Sequence, residues 1–336
     1  MQTVRNRVAD ILGIDLPIVQ APMNYIAGHA LAAAVSAAGG MGVLGPNAGK
    51  VLGEEISMRE RTLREFARIR EVTDKPVGIN VVVPDGENKA ALMYARSTVE
   101  AAAEGGATAA FCVGGLQPTI FELIKEKGMK LIVRPLTPTV KNAREAQAMG
   151  ADIFVATGYD AGGFLPSHHT GTFSIVPTIV DAVTIPVLAA GGINDLRGVR
   201  AAFALGAEGV YVGTRFIATN ECAANDHAKE LICKLSGSNL LYVDETQRSL
   251  PTEFAAEAYV KHRLAPTVPT TVDLVGALRT GMYDGEPDKG IVTVNTGIDV
   301  IRSVVPAAQV VSELIDRKST RLNSSHTDIS RMPSSA

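Results

Sequence analysis

Eight short apolar runs recur along this chain, and their spacing limits its fold more than any other feature. They are PIVQAPM (17–23), MGVLG (41–45), VGINVVV (77–83), AAFCVGG (109–115), KLIVRPL (130–136), IFVATG (153–158), PVLAAGG (186–192) and GVYVGTR (209–215). Each is too short for a helix, and each is continuous rather than alternating. That is the pattern of strands buried on both faces of a parallel sheet.

Helical segments separate the runs. In 54–70, Ile56, Leu63, Phe66 and Ile69 share one stripe among Arg and Glu. The segment 118–127 opens with Pro118 and stops at Gly128, and 138–149 opens with Pro138 and stops at Gly150, the usual starting and stopping residues. Asp195 is placed to cap a helix that carries Val199, Ala202 and Phe203. Eight βα units predict an α/β chain closed as a (β/α)8 TIM barrel. A doubly wound open sheet would more often stop at five or six strands and carry its glycine-rich loop after the first. Here the glycine-rich turns follow the sixth, seventh and eighth runs.

The expected organisation is a barrel formed by 1–216 and 291–317, with a final helix over 298–316. A helical lid or insertion after the eighth strand occupies 217–290, and 318–336, Ser-rich and without helical or strand period, is expected to be a disordered, non-native tail.

With 336 residues, 46% of them hydrophobic, there is ample material for one large core. A net charge of −3 without a basic stripe argues against nucleic-acid binding. No apolar run approaches the ~20 residues of a membrane helix. Three cysteines, Cys112, Cys222 and Cys233, lack metal-type spacing and are read as reduced thiols, and no metal site is expected. The expected setting is cytoplasmic, with a small-molecule substrate. A homodimer is compatible with the sequence.

In a barrel, chemistry gathers at the C-terminal ends of the strands. That rule selects Ala21–Asn24, Gly45–Asn47, Asn80, Gly114 and Gly115, Arg134, residues 157–169, residues 191–194 and residues 213–215. Gly191 and Gly192 end the seventh run, and Gly213 and Thr214 end the eighth. Paired on adjacent strands, their backbone N–H groups suit a phosphate. After the sixth run, Gly162 and Gly163 would let backbone lie against a flat ring. Tyr159 or Phe164 would wall the pocket, and His168 and His169 are candidate acid–base groups. Arg134 offers a cation for a phosphate or a reduced ring, and Asn80 offers both donor and acceptor to a heterocycle edge.

The segments IVQAPM (18–23), AGGMGVLG (38–45), GIN (78–80), YDAGGF (159–164), the block 185–216 and DGEPDKGIVTVNTG (284–297) together resemble the nitronate monooxygenase (2-nitropropane dioxygenase) family, close to FMN-dependent enoyl reductases. The resemblance covers roughly residues 8–316. It implies an FMN-dependent oxidoreductase that oxidises alkyl nitronates with O₂ to a carbonyl compound and nitrite. The alternative is an NAD(P)H-dependent reductase of enoyl thioesters or quinones. Ala21, Pro22 and Met23 would lie against the isoalloxazine, and Asn80 would hydrogen-bond it. Thr157, Ala161, Gly162 and Gly163 would line the cofactor, with Arg134 near the flavin. Gly191, Gly192, Tyr211, Val212, Gly213 and Thr214 would hold its phosphate end. The chain departs from the family in three places. Phe164 stands where a His usually follows the paired glycines, Thr157 stands where a Gln is usual, and Asn295–Thr296 replaces a Gly-Gln pair.

Overall fold

The structure is a computed structural model that describes residues 6–51, 53–264 and 271–315. The expected tail at 318–336 lies outside the described residues.

All eight apolar runs form strands: β1 (Ile18–Gln20), β2 (Gly42–Leu44), β3 (Val77–Val83), β4 (Ala109–Gly114), β5 (Lys130–Arg134), β6 (Ile153–Thr157), β7 (Val187–Ala190) and β8 (Gly209–Val212). They pair in parallel in the order β1-β8-β7-β6-β5-β4-β3-β2. The remaining seam, between β1 and β2, is closed by the parallel bridge Val19–Met41 and by the Gln20 backbone N–H donating to Met41 O at 2.9 Å. The buried Gln20 side chain completes this seam, since its Oε1 accepts from Val43 N at 3.0 Å. The result is an α/β TIM barrel.

The period-two alternation of each strand sorts its side chains between two cores. Val19, Val43, Ala109, Phe111, Ile132, Ile153, Val155, Leu188, Ala190 and Tyr211 form the barrel interior, where Phe111 and Tyr211 approach to 6.0 Å between ring centroids. Val8 and Leu12 of the helix Arg7–Leu12, which precedes β1, join this interior cluster. The intervening residues, among them Ile18, Leu44, Ile79, Val81, Ala110, Val133, Phe154, Val210 and Val212, face the surrounding helices. Removing a ring as fully buried as Phe111 costs about 3–5 kcal/mol.

Helix limits follow their local chemistry. Met58–Arg70 starts at a Ser57–Glu60 capping box, four residues later than the apolar stripe alone suggests. Pro118–Glu126 starts at its proline. Val140–Ala148 starts after Thr139, whose hydroxyl accepts from Asn142 N. Asp195 caps Leu196–Ala204 as expected.

Two expectations need correction. No single helix covers 298–316. A 3-10 turn at Ile298–Val300 gives way to a non-helical stretch, and the helix runs from Ala307 to Glu313. Pro306 sets that start, because a proline disfavours helical backbone in the residue before it. The segment 217–290 is also not helical throughout. Beside the helices Asp226–Lys234, Glu253–Leu264 and Thr271–Met282 it carries an antiparallel ribbon, β9 (Leu241–Tyr242) and β10 (Arg248–Ser249). Val243, Ala255, Ala258, Leu274, Ala277 and Ile291 form a small core of its own. No helix among the described residues is long and apolar enough to cross a membrane.

Candidate active site

Strand parity decides what the barrel mouth presents. Residues on the interior face near each strand's C-terminal end have no layer above them, so they face a cavity of about 640 Å³. From β1 come Ala21, Pro22 and Met23; from β3, Asn80; from β5, Arg134; from β6, Thr157 and, beyond it, Ala161, Gly162 and Gly163. From β7 come Gly191 and Gly192, and from β8 come Tyr211, Val212, Gly213 and Thr214. All the residues expected from sequence to bind a cofactor are thus gathered around one space. His168 and His169 are not among its lining residues. Both are exposed, and His169 packs on Tyr159 at 4.3 Å between ring centroids. The loop turns them outward because Leu165 N donates to Thr246 O of the insertion at 2.7 Å and Ser167 N donates to Thr137 Oγ1 at 2.9 Å.

Arg134 is the cavity's buried cation. It is 9% exposed, and burial pushes its pKa below the ordinary guanidinium value. Its Nε donates to Thr157 Oγ1 at 3.3 Å and its Nη2 to Phe164 O at 3.4 Å, both neutral acceptors. No carboxylate pairs with it among the described residues. A desolvated charge without a counterion is costly, so the arrangement suits an anionic or electron-rich ligand. Burial also pushes the neighbouring Tyr211 phenol up, which keeps it a neutral donor. Asn80 Nδ2 donates to Phe111 O at 3.0 Å, which leaves Oδ1 to the cavity.

Opposite Arg134 the donors are backbone. The N–H groups of Gly191, Gly192, Gly213 and Thr214 have no protein acceptor among the described residues. The Thr214 hydroxyl accepts from Asn295 N at 3.0 Å, so its own proton is free to be donated. Unpartnered amides on two neighbouring strand ends form a cradle for an anion such as a phosphoryl group. Gly191 is fixed twice over: its φ is +109°, and a Cβ there would lie 2.6 Å from Thr172 Oγ1. Gly162 lines the cavity and is also constrained from behind. A Cβ there would fall 2.7 Å from Val294 C and 2.9 Å from Asn295 N, so this glycine admits the returning chain.

That returning chain, singled out in the sequence as 284–297, forms one wall of the cavity. Thr293 and Asn295, with Leu278 and Met282 of the insertion, line the cavity. Asn295 is held by a reciprocal amide pair: Asn194 Nδ2 donates to Asn295 Oδ1 at 2.9 Å and Asn295 Nδ2 donates to Asn194 Oδ1 at 2.8 Å. The insertion is also tied to the β6 loop by the buried Arg248, which donates to Tyr159 O and Ala161 O and stacks against Tyr159 and Tyr242. A lone arginine on a two-residue strand gives no sequence signal for such a role. The glycine-spaced amides and the long return to Asn295 are the readable part.

Fold and site together define a (β/α)8 barrel protein whose last two strands end in unpartnered amides around the same cavity as a buried arginine. The family model for nitronate monooxygenase matches residues 5–317, and the chain belongs to that family. Among curated relatives, (3aS,4S,5R,7aS)-5-hydroxy-7a-methyl-1-oxo-octahydro-1H-indene-4-carboxyl-CoA dehydrogenase of Rhodococcus jostii is 34% identical over 68% of this chain; the match spans only 60% of that protein. A probable nitronate monooxygenase of Staphylococcus saprophyticus is 29% identical, with 81% of this chain and 86% of the relative covered. Among solved structures, FabK from Thermotoga maritima aligns with a TM-score of 0.80 and 31% identity over 93% of this chain and 95% of its own. Nitroalkane oxidase from Streptomyces ansochromogenes aligns at 0.69 and 25% over 92% and 96%.

Proposed function

We propose that this protein is an FMN-dependent oxidoreductase that oxidises alkyl nitronates with O₂ to a carbonyl compound and nitrite. The reading rests on one observation: among the described residues, the cavity combines a buried cation that no carboxylate pairs with and a row of unpartnered amides, yet its lining contains no histidine. The residues present fit FMN. The amides of Gly191, Gly192, Gly213 and Thr214 would hold the phosphate, Ala21–Met23 would support the ring, and Asn80 and Arg134 would meet its polar edge. When bound, FMN supplies the two-electron chemistry and the reaction with O₂ that side chains lack.

The missing histidine then selects the substrate's protonation state. A neutral nitroalkane must lose its α-proton to a base before oxidation. Phe164 stands at the family's histidine position, and His168 and His169 face away from the cavity. A nitronate is already deprotonated, and its negative charge suits Arg134. The free thiols of Cys112, Cys222 and Cys233 suit a reducing compartment, and we place the protein in the cytoplasm.

Oxygen uptake by the FMN-loaded protein with ethylnitronate, with nitrite measured alongside, tests this reading. Uptake well above that of free FMN is expected, and a rate equal to free FMN would overturn it. A second reading, an NAD(P)H-dependent reductase of an enoyl thioester or quinone, is favoured by the likeness to FabK and to the indene-carboxyl-CoA dehydrogenase. Rapid anaerobic bleaching of the flavin by NADH or NADPH would support that reading instead.

A further inference from the structure

The cavity mouth has an apolar side. On the strand ends from β3 to β6, Val82, Val113, Leu136 and Phe164 all line the opening. Three of them stay substantially open to solvent: Val82 is 48% exposed, Leu136 36% and Phe164 45%. Single exposed apolar residues need no explanation, but three around one opening form a patch that continues the cavity outward. Charge is distributed just as unevenly. Arg134 and Asp85 are the only charged residues in the described lining. Arg134 lies buried, with its Nη2 3.4 Å from the Phe164 carbonyl oxygen, whereas Asp85 is exposed beyond the end of β3. A ligand whose anionic head sits at Arg134 and whose tail leaves over this arc meets hydrocarbon and a carboxylate, and no second cation.

We propose that this arc is a chain-binding subsite, and that the substrates are nitronates bearing an extended aliphatic chain rather than an anionic tail. The proposal rests on the nitronate reading above for its head group. The head would pair with Arg134 while the chain removes Val82, Leu136 and Phe164 from water. A tail carboxylate would lose its hydration against the same surface and face Asp85. Each methylene that reaches the arc should strengthen binding by about twofold to fourfold, the upper figure being full burial.

The test is a kcat/KM series on the FMN-loaded protein with ethyl-, butyl- and hexylnitronate, and with propionate 3-nitronate against propylnitronate. A rise of about twofold to fourfold per methylene is expected, with the carboxylate-bearing substrate the slower of its pair. Leu136→Asp should flatten the series; the side chain is exposed enough for the barrel core to tolerate the change. A flat series at rates above free FMN, or faster turnover of the carboxylate-bearing substrate, overturns the subsite and leaves the nitronate reading standing. If no nitronate turns over, that reading falls. The subsite is then read by calorimetry of neutral 1-nitroalkanes, whose dissociation constants should still tighten with chain length. Constants independent of length would overturn it.

Discussion

The two sides of the cavity mouth bind by different means. The side built from β7 and β8 presents backbone: Gly191, Gly192, Gly213 and Thr214 offer N–H groups that no protein acceptor claims among the described residues. The side built from β3 to β6 presents side chains: Asn80, Arg134 and Thr157 below, Val82, Leu136 and Phe164 above. Backbone donors are indifferent to residue identity as long as the chain keeps its path, so they suit a constant group such as a phosphate. Side chains can be exchanged without moving the barrel, and two of the family departures, Thr157 and Phe164, fall on that side. Grip and choice of chemistry are therefore carried by opposite arcs of one ring of strands.

Substitutions should break this division unequally. The largest effect is expected for Arg134→Met. FMN binding, followed by fluorescence titration of the apoprotein, should weaken about tenfold to a hundredfold, the worth of hydrogen bonds to a charged group. The ligand-free protein should become more stable to urea, because a buried cation without a carboxylate is replaced by an apolar chain. Unchanged FMN affinity would mean that the side-chain arc does not touch the cofactor. Next comes Phe164→His, which returns a base to the mouth. It should raise kcat/KM for neutral nitroethane by about tenfold, short of the roughly hundredfold or more that a fully positioned base contributes because the side chain sits at the exposed rim, with little change for ethylnitronate. Equal changes on both substrates would count against the account of the missing base. Thr214→Val keeps the backbone amides but removes the side-chain hydroxyl beside them, both a donor to the cavity and the acceptor of Asn295 N–H, and FMN affinity should fall about fivefold to tenfold.

The smallest effect is expected for Asp195→Ala, behind the amide arc. The Asp195 carboxylate caps the helix Leu196–Ala204 by accepting from Arg197 N at 2.9 Å and Gly198 N at 3.2 Å. Burial pushes this carboxyl up, but the Arg197 guanidinium and these amides outweigh it, so its pKa falls below the ordinary value. A depressed folded pKa means that the stabilisation is complete above the unfolded value, about 4, and is lost as pH falls through the folded one. Urea unfolding should show a difference from Asp195→Ala of about 1 kcal/mol at neutral pH that shrinks in stronger acid. A gap independent of pH would show that the carboxylate's charge is not what caps the helix.

The sequence made the barrel readable because continuous apolar runs such as IFVAT at 153–157 have few other places to go. The backbone arc was readable for a related reason: paired glycines at the ends of neighbouring runs mark exposed amides. What stayed hidden depends on contacts distant in the chain. Gly162 lines the cavity, but its second constraint, the Val294–Asn295 backbone behind it, is a contact that spans more than a hundred residues. His168 and His169 looked like acid–base groups, but their direction is set by Thr246 and Thr137, which local pattern does not place beside them. Pro306 stands inside the expected final helix 298–316, and its ring is what confines that helix to Ala307–Glu313.

The reciprocal Asn194–Asn295 pair has a consequence for how the protein ages. Two neutral amides that exchange donors have no titration and no counterion, so salt and mild acid leave the joint between β7 and the returning chain intact. Its weakness is covalent. Deamidation of either residue turns a donor into a negatively charged acceptor facing another acceptor, and the wall of the cavity would loosen in old protein while the barrel behind it stays folded.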